Sequence, residues 1–443
     1  MKNQWTARLT AVLLALVLVV ALALPAGAAW EMPITTSLPD ETIYLVNLDT
    51  GEVILNQNGS QARPIASLTK MMTALLVLES GTDLNQTVVV PDRLRNELIR
   101  IQSENGSDMK LKVGENVTLL DLLYGLLVPS GNDAASMLAD YFGGGNKELF
   151  IKKMNARAAE LGCTNTHFSC AHGLYDEDNY STAEDLVRIA VECWKNPQYM
   201  EIANTTQYVV PATNMNRKPR ELKSTNFMLV PDNPQYRPEI SGIKTGFTTL
   251  AGRCYVTTTS YQGHNYMLVV LGAQKEKRGE PFIIYQEVDQ LLDWLFSRYE
   301  DRTLLAASQP VGKLPLTDGA DAENVVLLSA GSLVQNVYAD AVVEIRLETA
   351  EQVKAPVSKG DLLGTAVVTV DGTEAGRLDL VADRDYGSAM QRDAKRALLM
   401  LPVLLVVVLV LGRFTILLGH NRNAYLRKKR QQRAARHNDT ARR

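Results

Sequence analysis

The sequence predicts an α+β protein in which helices pack on an antiparallel sheet, followed by a small all-β domain and one apolar helix long enough to cross a membrane. Helical and strand periodicities interleave irregularly up to about residue 300, short alternating runs separated by turns fill 301–388, and 397–418 is almost wholly apolar. At 443 residues the chain exceeds one ordinary core, and a hydrophobic share of 46% against 21% charged residues indicates folded rather than disordered protein.

Lys2 and Arg8 flank and precede an apolar run ending at Leu24, and Pro25-Ala26-Gly27-Ala28 has the small-x-small form that signal peptidases cut. Residues 1–28 are therefore read as a signal peptide, with an uncleaved anchor as the alternative. Either leaves the same domain outside the cell.

Residues 42–47 and 52–56 alternate apolar and polar side chains around Asp49-Thr50-Gly51, the pattern of a β-hairpin. From Ser67 onward, Met71, Leu75, Leu76 and Leu78 recur at helical spacing, so a buried helix is expected over 67–79 with Ser67 at its beginning. Thr118 and Asp121 form a capping-box pattern before a helix over 119–128. Pro129 stops that helix, Ser130-Gly131-Asn132 makes a turn, and a second helix runs over 133–141. Further helices are expected at 147–161, 183–195 and 285–298. Lys244-Thr245-Gly246 is read as opening a strand, with 253–260 and 265–271 as strands joined by Tyr261-Gln262-Gly263-His264. Together these pieces define a domain over about 35–300.

In 301–388, runs such as 341–347 and 365–370 alternate with turns at Lys359-Gly360-Asp361 and Asp371-Gly372. This small β domain has no nucleophile beside a base, which suggests a spacer or docking role. The apolar stretch 397–418 would rise about 33 Å as a helix, against a hydrocarbon thickness of about 30 Å. Arg413, its one charge, sits near an end and can snorkel. Residues 419–443 read as a basic cytoplasmic tail: nine Lys or Arg stand against the single acid Asp439. A nucleic-acid-binding arm is the alternative. Once Lys2, Arg8, Arg413 and the tail are set aside, 9–412 carries a net charge of about −14, which disfavours nucleic acid as a partner.

Ser67-Leu68-Thr69-Lys70 places a hydroxyl and an amine one helical turn apart on one face, where the amine can take the hydroxyl proton if burial or a neighbouring cation lowers its pKa. Ser107-Asp108-Met109-Lys110 has the same spacing but lies in a polar stretch and reads as a solvated loop. Ser-x-Asn occurs at Ser103, Ser130 and Ser224, and only Ser130-Gly131-Asn132 is held between two helices. There a hydroxyl could pass a proton to a leaving amine while the Asn132 amide binds a peptide backbone. Lys244 and Thr245 offer a carboxylate site, and Gly246 would let a peptide lie close to the strand.

Four cysteines, Cys163, Cys170, Cys193 and Cys254, are too scattered for a disulfide scaffold, although Cys163 and Cys170 could bridge one loop. No C-x-x-C, H-E-x-x-H or G-x-S-x-G occurs, which leaves structural zinc, a metallopeptidase and a Ser-His-Asp hydrolase without a foothold. His167, His172, His264, His420 and His437 are read as loop, turn or tail residues.

Ser-x-x-Lys, Ser-x-Asn and Lys-Thr-Gly, in that order and set in Ala66-Ser-Leu-Thr-Lys-Met-Met-Thr73, Leu127-Val-Pro-Ser-Gly-Asn-Asp133 and Gly242-Ile-Lys-Thr-Gly-Phe-Thr248, resemble the penicillin-binding D-alanyl-D-alanine carboxypeptidases over about 35–385. The resemblance implies a β-lactamase/transpeptidase-like catalytic domain. It implies that Ser67 attacks the D-Ala–D-Ala carbonyl while Lys70 takes its proton, that Ser130 relays the proton to the departing D-alanine, and that Asn132 orients the peptide. Lys244 and Thr245 would hold the terminal carboxylate, and the backbone N–H groups of Ser67 and Phe247 would form the oxyanion hole. The family carries a carboxylate-binding arginine beyond the strand after Lys-Thr-Gly, and Arg278 stands at about that distance, with Lys275 and Lys277 as competitors and a solvated basic loop as the alternative. No metal or cofactor is implied. The expected partners are peptidoglycan stem peptides ending in D-Ala-D-Ala, β-lactam antibiotics that trap Ser67, and the cell membrane, with the catalytic domain extracytoplasmic. Relatives often end in an amphipathic surface helix, whereas 397–418 reads as spanning. Transpeptidase or endopeptidase action, a β-lactam-resistance hydrolase, and a non-catalytic sensor of β-lactam or muropeptide remain open alternatives.

Overall fold

Strand alternation around the tight turn at Gly51 gives an antiparallel hairpin of β1 (Thr42–Asn47) and β2 (Val53–Gln57). The computed structural model describes residues 40–104, 106–174, 177–274 and 282–440. The expected signal peptide lies outside the described residues. Three later strands, β3 (Ile240–Thr248), β4 (Gly252–Tyr261) and β5 (His264–Ala273), complete one sheet in the order β2-β1-β5-β4-β3, antiparallel throughout. β3 is an edge strand, so one of its backbone edges is left for another partner. Lys244-Thr245-Gly246 does not open this strand; it lies well inside it, where β4 holds it in register.

The helices surround α1 (Lys70–Glu79), whose Met71, Met72, Ala74, Leu75 and Val77 are all buried. A helix apolar on nearly every side has no solvent face to present, so it becomes the centre of the domain. Around it pack α3 (Leu119–Leu127), α4 (Asn132–Phe142), α5 (Lys147–Glu160), α6 (Ala183–Lys195) and α7 (Pro197–Ala203), while α2 (Arg95–Ser103) lies on α4 and α8 (Ile283–Arg298) covers β4 and β5. Thr118 caps α3, its Oγ1 accepting the Asp121 N–H at 3.0 Å. Ser67 does not begin an α-helix as expected. It sits in a 3-10 turn over Ala66–Thr69, because Ala66 adopts φ +47° and the α-helical ladder cannot start until Lys70. All four cysteines are free, so no bridge joins Cys163 to Cys170.

The chain divides between Arg298 and Tyr299. In the second unit a six-stranded sheet runs in the order Val343–Thr349, Leu362–Val370, Thr373–Ala382, Asn324–Ser329, Pro310–Thr317, Val353–Lys354, beside a pair formed by Tyr299–Leu305 and Leu333–Tyr338. Its core gathers Leu305, Leu314, Leu327, Val337, Val368 and Leu380. Helix α9 (Ala389–Thr440) follows; it runs unbroken through Pro402 and on into the basic tail. Its stretch Ala389–Gln432 is long and apolar enough to cross a membrane, and the apolar part is not buried against protein.

Candidate active site

Lys70 is fully buried at the first position of α1, and its Nζ has three oxygen neighbours: Ser67 Oγ at 2.7 Å, Asn132 Oδ1 at 2.8 Å and the His172 carbonyl at 2.7 Å. Burial first, and the nearby charge of Lys244 second, push its pKa well below that of an ordinary lysine. A neutral amine has two N–H donors and one lone pair. Asn132 Oδ1 and the His172 carbonyl can only accept, so they take the two N–H groups. Ser67 alone of the three can donate, and the lone pair is left facing its O–H.

Two backbone features hold this arrangement. Ala66 and Ser130, with φ of +47° and +63°, occupy the left-handed region that side chains rarely adopt, and both adjoin the site. Gly173 carries its backbone so close to the Ser67 turn that a Cβ there would collide with the Ala66 carbonyl oxygen. The loop leading to it is tied to α1: Thr73 Oγ1 donates to the Ala171 carbonyl at 2.8 Å, and Asn179 Nδ2 donates to Thr69 Oγ1 at 2.8 Å. This places the His172 carbonyl over Lys70. The His172 imidazole itself is pushed down to about 3 by burial and by Lys70, so it stays neutral 3.8 Å from Glu97.

On the opposite wall, Lys244 is buried and donates to the Thr245 carbonyl at 2.8 Å; burial lowers its pKa to about 7. Thr245 Oγ1 lies 2.7 Å from Thr225 Oγ1. A cleft of about 460 Å³ is lined by Ser67, Ser130, Asn132, Thr245, Gly246 and Phe247 among others. The structure therefore brings together Ser67, Lys70, Ser130, Asn132, Lys244, Thr245, Gly246 and Phe247, while Arg278 lies outside the described residues.

Gly246 sets the distance between β3 and the Ser67 turn, since a Cβ there would meet Ser67 N at 3.0 Å and Ile65 O at 3.3 Å. These are backbone atoms with little room to move. Gly246→Ala is expected to push the strand outward by a few tenths of an ångström, to slow acylation about 10- to 100-fold, and to leave the melting temperature nearly unchanged. Stopped-flow labelling with a fluorescent penicillin, alongside a thermal melt, checks both.

Several cleft residues were not legible as such. Ser107 is an exposed loop residue, as its polar surroundings predict, yet it lines the cleft, and its carbonyl accepts the Asn132 N–H at 2.8 Å. Ser224 and Thr225, from a Ser-x-Asn match that looked fortuitous, also line it. Asn226 of the same triplet donates to the Gly242 carbonyl at 2.9 Å and so fastens the start of β3. His172 contributes a carbonyl, which no side-chain pattern can announce.

Comparison with known proteins agrees with this geometry. Residues 32–275 match the family described as D-alanyl-D-alanine carboxypeptidase, and 299–388 match the C-terminal domain of penicillin-binding protein 5. D-alanyl-D-alanine carboxypeptidase DacF of Bacillus subtilis is 30% identical over 393 residues, covering 86% of this chain and 95% of that protein. The structure of penicillin binding protein 5 from Haemophilus influenzae is 25% identical with a TM-score of 0.54, covering 78% of this chain and 97% of its own. A DD-transpeptidase from Streptomyces is 30% identical with a TM-score of 0.51, covering 58% of this chain and 96% of its own. Motif, geometry and likeness along both units converge, and the chain belongs to the D-alanyl-D-alanine carboxypeptidase family.

Proposed function

We propose that this protein is a serine-type D-Ala-D-Ala carboxypeptidase that removes the terminal D-alanine from peptidoglycan stem peptides, anchored in the cell membrane by α9 with its catalytic domain on the outer side. The observation that carries the reading is the buried amine of Lys70, 2.7 Å from Ser67 Oγ and left with its lone pair toward that hydroxyl.

Ser67 Oγ attacks the carbonyl carbon of the D-Ala–D-Ala bond and its proton passes to Lys70 Nζ. The oxygen that becomes negative is met by the backbone N–H groups of Ser67 and Phe247. The C–N bond then breaks as Ser130 gives its proton to the leaving amine and takes up the one held by Lys70, so that D-alanine departs and Lys70 is neutral again. Asn132 orients the peptide beside edge strand β3, and Lys244 with Thr245 receives the terminal carboxylate. Water next attacks the Ser67 ester while Lys70 takes its proton, and as the ester C–O bond breaks Lys70 returns that proton to Ser67 Oγ, restoring the hydroxyl. A β-lactam enters the same sequence and stalls at the ester. The outward orientation is supported by the basic tail, in which Arg422 and then Arg427-Lys428-Lys429-Arg430 follow the apolar part of α9.

The test uses the detergent-solubilised full chain. With a peptide ending in Lys-D-Ala-D-Ala, one D-alanine per peptide should appear. With benzylpenicillin, one adduct should appear on the peptide that carries Ser67. Rapid penicillin hydrolysis would point to a β-lactam-resistance enzyme, and acylation with no release of D-alanine would point to a sensor; either sinks the carboxypeptidase reading.

A further inference from the structure

A substrate that ends in a free carboxylate needs a fixed positive charge to recognise it, and the two lysines of the site supply one poorly. Lys70 must be neutral to act as a base, and Lys244 titrates at about 7 and so carries its proton only part of the time near neutral pH. Among the described residues lining the cleft, Arg253 is the one cationic side chain.

The sheet explains how it arrives there. β4 runs antiparallel to β3, with Thr245 opposite Tyr255 and Phe247 opposite Arg253. Side chains two apart on a strand share a face, so these four form one patch of the cleft wall that starts at Thr245 and extends past the Lys-Thr-Gly triplet. The Arg253 guanidinium lies 4.5 Å from the centroid of the Phe247 ring and 4.5 Å from that of Phe282. Two aromatic faces hold a planar cation by electrostatic attraction and fix its orientation. Guanidinium hydrogen-bond donors point outward in the plane of the group, and that edge is how a carboxylate is received, two oxygens at a time.

We propose that Arg253, held between Phe247 and Phe282, is a specificity-determining residue that binds the free C-terminal carboxylate of the peptide and makes this enzyme select acids over amides. The inference rests on the carboxypeptidase reading above and deepens it by assigning the fixed charge to a residue inside the sheet, independent of Arg278.

The experiment compares two peptides on the full chain, one ending in D-Ala-D-Ala and the other in D-Ala-D-alaninamide; both form the same acyl-enzyme. For the unaltered protein, kcat/KM should favour the acid. Arg253→Gln should lose about 10- to 100-fold on the acid, mainly through KM, while changing less than about threefold on the amide. Arg253→Lys should recover part of the acid preference, because charge returns without the planar fork. Retained amide cleavage also shows that the variant is folded. Equal losses on both peptides, or an unchanged acid preference in Arg253→Gln, would overturn the inference while leaving the carboxypeptidase reading intact. Failure of the unaltered protein to release either leaving group would overturn both.

Discussion

Lys70→Met is expected to lower kcat/KM for a D-Ala-D-Ala peptide by about three orders of magnitude while the protein remains folded. Methionine fills nearly the same volume and carries no base, so the Ser67 proton loses its acceptor. The substitution also leaves Asn132 Oδ1 and the His172 carbonyl, both within 2.8 Å of the lost nitrogen, without a donor. Those two orphaned acceptors oppose the gain from no longer desolvating an amine, so stability should change by no more than about 2 kcal/mol in either direction. A loss of activity accompanied by unfolding would count against the assigned role, as would a variant that acylates with penicillin at the normal rate.

The pH dependence follows from the same burial. In the proposed mechanism Lys70 acts only when deprotonated, so kcat/KM should rise with pH through its depressed pKa and then level off. Because Lys244 is the second cause of that depression, Lys244→Met should move the acid limb to higher pH. A limb that stays in place or moves down would refute the coupling. Stability has a matching sign. Lys244 has a folded pKa of about 7 against 10.5 unfolded, so across that interval the unfolded chain binds more protons. Lys244 should therefore strengthen folding as pH rises through this window, by up to about 1.4 kcal/mol per unit, with the depressed Lys70 adding in the same direction, and the slope should be shallower in Lys244→Met.

What the sequence revealed and what it hid divide along physical lines. The hairpin over 42–57, the capped helix after Thr118 and the strands on either side of Gly263 are written in nearest-neighbour periodicity, and the observed elements differ only at their ends. Ser67, Lys70, Asn132 and Lys244 are side chains whose chemistry is visible in a triplet. The hidden parts belong to the backbone or to distant pairings. The 3-10 turn at Ser67 depends on an alanine with positive φ, the third neighbour of Lys70 is a carbonyl 102 residues away, and Arg253 reaches the cleft only because β4 pairs with β3. Ser107 keeps the exposed loop that its polar surroundings predict; what those surroundings do not reveal is that the segment is fastened beside the cleft by a buried acid.

That acid is Asp133, and its replacement by asparagine should be the most damaging change to stability outside the apolar core. One carboxylate oxygen accepts the N–H groups of Met109 at 3.0 Å and Ala134 at 2.8 Å, and the other accepts Met109 at 3.1 Å and Leu111 at 3.0 Å. Asparagine keeps a single oxygen. Whichever position it takes, either Leu111 or Ala134 is left as a buried donor without an acceptor, and the new NH2 group confronts the Met109 N–H. Burial pushes the Asp133 pKa up, so removing the charge recovers some desolvation cost. The lost charge-assisted bonds and the orphaned donor outweigh it, for a net loss of about 2–4 kcal/mol. A domain of this size should then melt several degrees lower. The damage should also reach the catalytic pair, because the freed segment includes Ser107, whose carbonyl holds Asn132, and Asn132 in turn holds Lys70. A fall in kcat/KM of about tenfold at a temperature where the variant is still folded would show that the segment positions the base through Asn132. A variant that melts normally and turns over normally would show that neither the segment nor Asn132 depends on this carboxylate.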